Sequence, residues 1–188
     1  MKKYLFLFCL ILVCSTSVFG GANNVVRLNG EFPRILSVEY ERKLNQIFPN
    51  LSAFINYGGA PVTIEEEKTE LYGLNAGLRY KLPFIGYIGV GYGSLDMDYS
   101  YVATATQGSI SKDAKVNVDG TLSGLLLEYG KELGIGPVLM GGKVYYLMGS
   151  PDITATVEDV AVEDSDVDQG LATIDGMPGV AVYVGIRF

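Results

Sequence analysis

The feature that most constrains the fold is an alternation of apolar and polar residues with a period of two. In "GVAVYVGIRF", residues 179–188, every second residue from Val180 to Phe188 is apolar. The residues between them, Ala181 to Arg187, point to the opposite face of an extended strand. The same alternation recurs at residues 35–43, 70–82 and 137–149. No convincing helical periodicity follows the N-terminal segment, so the sequence predicts an all-β protein.

The N-terminus reads as an export signal. Lys2 and Lys3 precede an apolar run at residues 4–13, and small residues follow in "STSVFGGA". We predict a signal peptide at residues 1–22, cleaved after Gly20 or Ala22, followed by one domain at 23–188. Ten apolar residues are too few to cross about 30 Å of hydrocarbon comfortably, which disfavours a retained membrane helix.

Composition excludes several kinds of chemistry. The chain has no histidine, and its 2 cysteines, Cys9 and Cys14, both lie in the predicted signal. Ser–His–Asp and Cys–His catalysis are therefore excluded, as are zinc sites that need these ligands. Losing Lys2 and Lys3 from 14 basic residues leaves 12 against 21 acidic ones, a net charge of −9. We predict no enzymatic activity and no cofactor. We also predict no nucleic-acid partner, because nucleic acids require a basic surface.

Strand and turn spacing predicts a barrel. Short turns at 45–50, 82–86 and 133–137 alternate with long polar loops at 58–70, 106–113 and 157–170. Eight strands are predicted, near 24–31, 34–44, 51–58, 70–82, 84–104, 114–132, 136–156 and 173–188. Even strand number and alternating turn length are typical of an eight-stranded antiparallel up-and-down transmembrane β-barrel.

The polar faces carry charges of both signs. In a membrane barrel the aliphatic faces contact lipid and these charges point into the lumen, where opposite signs compensate. The predicted lumen network consists of Arg27, Glu39, Glu41, Lys43, Arg79, Lys81, Glu128, Lys143 and Arg187. Such a network favours a plugged barrel, with a narrow channel as the alternative. A soluble lipocalin-like barrel is the third possibility.

Three tyrosines stand at equivalent places before short turns. Tyr40, Tyr80 and Tyr129 each begin a Tyr, Lys, Leu succession. We predict that they lie at one level, as interfacial aromatic residues do in membrane barrels.

The mature chain resembles small bacterial outer-membrane barrels, the family of OmpX and of the membrane domain of OmpA. The resemblance covers the whole length and includes the C-terminal "YVGIRF". It implies an assembly signal at Tyr183, Val184, Ile186 and Phe188, read by the barrel-assembly machinery. It also implies a monomer in the cell outer membrane, in contact with membrane lipid and lipopolysaccharide.

The acidic loop at 157–170 invites a calcium hypothesis. Asp164, Asp166 and Asp168 stand at every second position, but the glycine and glutamate positions of an EF-hand are not matched. A solvated anionic loop is the favoured interpretation. For the whole protein we predict a structural, adhesive or surface-protective role carried by the acidic extracellular loops.

Overall fold

Nine β-strands make up most of the chain that the computed structural model describes, which is residues 23–44, 48–64, 67–107, 110–157 and 176–188. The strands are β1 Asn24–Phe32, β2 Ile35–Lys43, β3 Leu51–Ile64, β4 Glu67–Leu82, β5 Gly86–Gln107, β6 Ile110–Ile135, β7 Val138–Met148, β8 Pro151–Val157 and β9 Gly176–Arg187. Within these ranges no helix is long and apolar enough to cross a membrane. The predicted signal peptide lies outside the described residues.

The strands close into a barrel with eight strand positions around its axis, and we call each position a stave. Each strand from β1 to β6 pairs antiparallel with the next, and β9 pairs with both β7 and β1. β7 and β8 form one stave, because both pair with β6 and only two residues on each side separate the two ladders. The predicted seventh strand at 136–156 corresponds to this stave. The prediction of a closed eight-stranded antiparallel barrel is confirmed.

The tilt of the staves follows from their register. A path along paired residues starts on β9 at Ile186 and returns to β9 at Gly176, a stagger of ten residues. The intermediate residues are Val26, Tyr40, Ile55, Ala76, Tyr92, Leu125 and Met148. Stagger and strand number together set the tilt, which for such barrels is about 35–45°. The lumen is therefore just wide enough to be filled by side chains.

The structure corrects the predicted long loops at 58–70 and 106–113. The β3–β4 ladder continues to the pair Ile64 and Glu67, and the β5–β6 ladder continues to Gln107 and Ile110. Polar sequence suggested loops, but backbone pairing in a hairpin needs no apolar face. The loop predicted at 157–170 lies, beyond Val157, outside the described residues.

The barrel is polar inside and apolar outside. Arg27, Glu39 and Arg79 are fully buried, whereas Val182 on the outer face is 68% exposed. Because β-strand side chains alternate, each stave presents one kind of side chain to the lumen and the other outward. The observed faces match those expected from the sequence alternation.

The three tyrosines lie close to one level. The register row through Tyr40 meets β4 at Ala76 and β6 at Leu125. Because the strands are tilted, a row of paired residues is not level but climbs along the barrel axis. A stagger of ten residues over eight staves amounts to a climb of about 1.25 residues per stave. Correcting for this lift brings Tyr80 and Tyr129 to within about two residues of the level of Tyr40. Tyr80 and Tyr129 are exposed on the outer face, 45% and 43% respectively.

Gly77 on β4 lies close against the backbone of β5. A Cβ there would be 2.4 Å from the Val90 carbonyl oxygen, whereas one on Gly30 would find only Val182 Cγ2 at 4.0 Å. We expect Gly77→Ala to lower the free energy of unfolding by about 1–3 kcal/mol, since the backbone of β5 must shift. Gly30→Ala is the matched control and should change it little. Denaturant unfolding of the two variants measures the difference, and equal stabilities would contradict the prediction.

Candidate functional site

Arg79 is the centre of the buried charges. Its five N–H donors bond three glutamates on two other strands, Glu39 and Glu41 on β2 and Glu128 on β6. Nη2 lies 2.8 Å from Glu39 Oε2 and 3.0 Å from Glu128 Oε2. The guanidinium also stacks on the Phe54 ring at 4.0 Å and near Tyr87 at 4.8 Å. All five donors of this arginine are therefore satisfied without solvent.

Arg27 on β1 shares two of these carboxylates, Glu39 and Glu41, and adds a third, Glu132. Its Nη1 lies 2.8 Å from Glu39 Oε1 and 2.7 Å from Glu41 Oε2, and its Nη2 lies 2.8 Å from Glu132 Oε2. Its guanidinium carbon is 5.2 Å from the centre of the Tyr183 ring. Arg27 thus links β1, β2 and β6 across the lumen.

Two lysines complete the cluster. Lys143 Nζ on β7 lies 2.5 Å from Glu39 Oε2 and 3.8 Å from Glu128 Oε2. Lys81 Nζ on β4 lies 2.5 Å from Glu132 Oε1 and 3.6 Å from Glu41 Oε1. Four cations and four carboxylates therefore form what we call the ion-pair cluster, and its formal charge is zero. Its members are Arg27, Arg79, Lys81, Lys143, Glu39, Glu41, Glu128 and Glu132.

The structure brings seven of the nine predicted network residues into this cluster. The other two, Lys43 and Arg187, lie at the tight-turn end of the lumen and line a cavity there. Glu132 was missed by the sequence prediction. The sequence feature that would have placed Glu132 in the lumen is its spacing from Glu128, since residues four apart on a strand share a face.

A second polar group closes the opposite part of the lumen. Arg34, in the turn between β1 and β2, points inward, is 2% exposed and forms an ion pair with Glu31. The Tyr145 hydroxyl donates a hydrogen bond to the Phe32 carbonyl oxygen at 3.0 Å, which holds this turn against the barrel. Neither Glu31 nor Arg34 was predicted from the sequence. Glu31 continues the lumen face of Arg27, whereas a turn residue such as Arg34 has no periodic signal.

An apolar layer lies beyond Arg34. Leu95, Leu122 and Leu147 pack together there, and Met97 and Met177 pack against them. This layer and the ion-pair cluster fill the lumen at two levels.

The predicted assembly residues lie on β9 and at its end. Val184 and Ile186 are 51% and 60% exposed on the outer face, and Tyr183 points into the lumen. The Phe188 amide donates to the Asn24 carbonyl oxygen at 3.0 Å, which joins the end of the chain to β1. Recognition by the assembly machinery stays a prediction.

No metal-binding group of three or more acidic, histidine or cysteine side chains occurs within the described ranges. The predicted calcium ligands Asp164, Asp166 and Asp168 lie outside those ranges. The carboxylates of the ion-pair cluster are bonded to arginine and lysine and so are occupied as structural partners. Chemically, the arrangement neutralises buried charges and links side chains of β1, β2, β4, β6 and β7 across the lumen.

No protein-family model and no curated protein matches the sequence. Two solved structures from Acinetobacter baumannii are similar in fold. CarO aligns with a TM-score of 0.54 at 12% identity, covering 87% of this chain and 97% of CarO. CarO2 aligns with a TM-score of 0.55 at 13% identity, covering 88% and 98%. Membership of the OmpX and OmpA family stays a prediction, and what this chain shares with CarO is the fold of an eight-stranded barrel.

Proposed function

We propose that this protein is an integral outer-membrane barrel with a closed lumen, and that its role is structural and adhesive rather than catalytic or conductive. The observation that carries the proposal is the inverted distribution of polarity, with paired charges buried inside and aliphatic side chains exposed outside. In water the hydrophobic effect drives the opposite arrangement.

The exposed aliphatic residues form a continuous belt. Every stave contributes at least one large apolar side chain that is 38–68% exposed. One from each stave is Leu28, Val38, Ile55, Leu78, Val90, Leu127, Val144 and Val182. Soluble monomers rarely expose apolar patches beyond a few hundred Å². The belt therefore favours lipid as its surroundings and disfavours the lipocalin-like alternative.

The similar solved structures support the location. CarO is an outer-membrane barrel protein, and a barrel that closes on itself satisfies all backbone hydrogen bonds in lipid. We accordingly propose membrane lipid and lipopolysaccharide as the surroundings, the barrel-assembly machinery as the partner in biogenesis, and a monomeric state.

We infer the adhesive role from the unequal lengths of the hairpins at the end of the barrel opposite the tight turns. The β1–β2 ladder ends at the pair Glu31 and Ile35, but β5 and β6 remain paired up to Gln107 and Ile110. The β5–β6 hairpin therefore projects well beyond the belt, with β4 on one side of it and β8 on the other. Projecting paired strands present backbone and side chains to partners outside the membrane.

A conductance measurement distinguishes a barrel with a closed lumen from a narrow channel. We expect the refolded protein in a planar bilayer to give no resolvable single-channel steps, because buried ion pairs and an apolar layer fill the lumen. Heat-modifiable gel migration of the same sample checks that the barrel is folded and inserted. Reproducible steps from folded protein would contradict the closed lumen while leaving the membrane location intact.

A further inference from the structure

The lumen opens at its tight-turn end into a cavity of about 240 Å³. Three cations line it, Lys43, Lys81 and Arg187, with Glu132 as the acidic residue among the described lining. Glu132 is already shared with Arg27 at 2.8 Å and with Lys81 at 2.5 Å. Around this cavity positive charge is therefore in excess.

The excess is not cancelled by the ion-pair cluster. That cluster is neutral by itself, so Lys43 and Arg187 add two positive charges at its edge. Lys43 lies within electrostatic range of both Arg187 and Lys81, as well as of Glu41 and Glu132. Like charges around a cavity repel one another and raise the local concentration of anions, so an anion bound there would relieve the repulsion.

Two buried donors in the lining lack a hydrogen-bond partner among the described residues. One is the Ser52 hydroxyl, on a residue that is 1% exposed, and the other is Nε of Arg187. Ser52 is the register partner of Lys43 on β2 and of Arg79 on β4. Buried polar groups are normally bonded, so these two donors call for an acceptor, which an anion or a water molecule supplies.

We propose that this cavity binds a small oxyanion of the phosphate class, either free phosphate or the phosphate of a lipid headgroup. Ser52 Oγ and Arg187 Nε donate hydrogen bonds to its oxygens, while Lys43 and Lys81 balance its charge. In the proposed membrane orientation the cavity opens on the side of the tight turns, away from the projecting hairpin.

The test uses the full mature chain refolded in a non-ionic detergent, so it does not depend on the membrane location. Inorganic phosphate is titrated at constant ionic strength, and binding is followed by calorimetry. We expect saturable binding with one site, weakened roughly tenfold by Lys43→Gln and several-fold by Ser52→Ala. The matched control is Lys131→Gln, which removes the same charge from an exposed position on β6 next to Glu132.

Heat-modifiable migration verifies that each variant is folded. Absence of saturable binding in the wild type, both with inorganic phosphate and with the lipid of the second titration, would overturn the proposal. Equal weakening by Lys131→Gln and Lys43→Gln would also overturn it, since that would indicate a general charge effect.

A second titration, with short-chain phosphatidylglycerol below its micelle concentration, identifies the source of the phosphate. Tighter binding of the lipid than of inorganic phosphate assigns the cavity to a headgroup. Equal or weaker binding of the lipid assigns it to free phosphate. Both results support the site, and failure of both titrations removes it.

Discussion

Replacing Arg79 with methionine is expected to lower the free energy of unfolding by about 3–5 kcal/mol, because it leaves buried carboxylates without their main partner. Arg79 makes five hydrogen bonds to three glutamates and stacks against Phe54. Methionine keeps most of the apolar contact but supplies no donor. Urea unfolding in lipid vesicles, followed by loss of the heat-modifiable gel form, measures the change.

Arg42→Met is the matched control, since Arg42 is on the same barrel but exposed on its outer face. We expect that variant to unfold near the wild-type midpoint. Combining Arg79→Met with Glu128→Gln should recover part of the loss, because one unpaired carboxylate becomes neutral. Wild-type stability of Arg79→Met alone would mean that the ion-pair cluster does not hold the barrel together.

Introducing arginine at Val182 is expected to have the second largest effect. Val182 is 68% exposed and belongs to the apolar belt. At the midplane of a bilayer an outward arginine costs about 2–4 kcal/mol in a membrane barrel. On a soluble barrel the same substitution at an exposed position would change the free energy of unfolding little. Reversible unfolding with guanidinium in lipid vesicles measures the cost.

Ile135→Arg provides the comparison for Val182→Arg. Ile135 is 79% exposed but lies at the end of β6, beside the tight turn. Near the membrane interface an outward arginine costs only about 0–1 kcal/mol. Equal costs at Val182 and Ile135, or no cost at either, would contradict the proposed position of the belt in the bilayer.

The lumen residues of β1 and β2 were predictable because these strands alternate without interruption. Arg27, Glu39 and Glu41 were expected on the inner face, and all three are fully buried there. Glu132 was missed because three successive leucines, Leu125 to Leu127, obscure the alternation in β6. Leu126 points into the lumen as part of an apolar cluster with Phe54 and Tyr145, and a period-two pattern cannot reveal such a site.

The length of the hairpins could not be read from the sequence. Strands that project from a barrel have no buried face, so their sequence loses the apolar alternation by which strands are recognised. Residues 58–64 and 67–70 were therefore expected in a loop, although β3 and β4 continue through them. The inward turn of Arg34 also depends on tertiary contacts, because its partner Glu31 and the Tyr145 hydroxyl position the turn.

The ion-pair cluster has a consequence for the order of assembly. Its partners are far apart in the chain, since Arg27 and Glu132 are separated by 105 residues and Lys143 and Glu39 by 104. A sheet inserted before β6 and β7 have arrived would present unpaired charges to hydrocarbon, at a cost of several kcal/mol per ion. Partly closed forms are therefore disfavoured in the bilayer. We expect closure of the first stave against the last and neutralisation of the lumen to occur as one cooperative step.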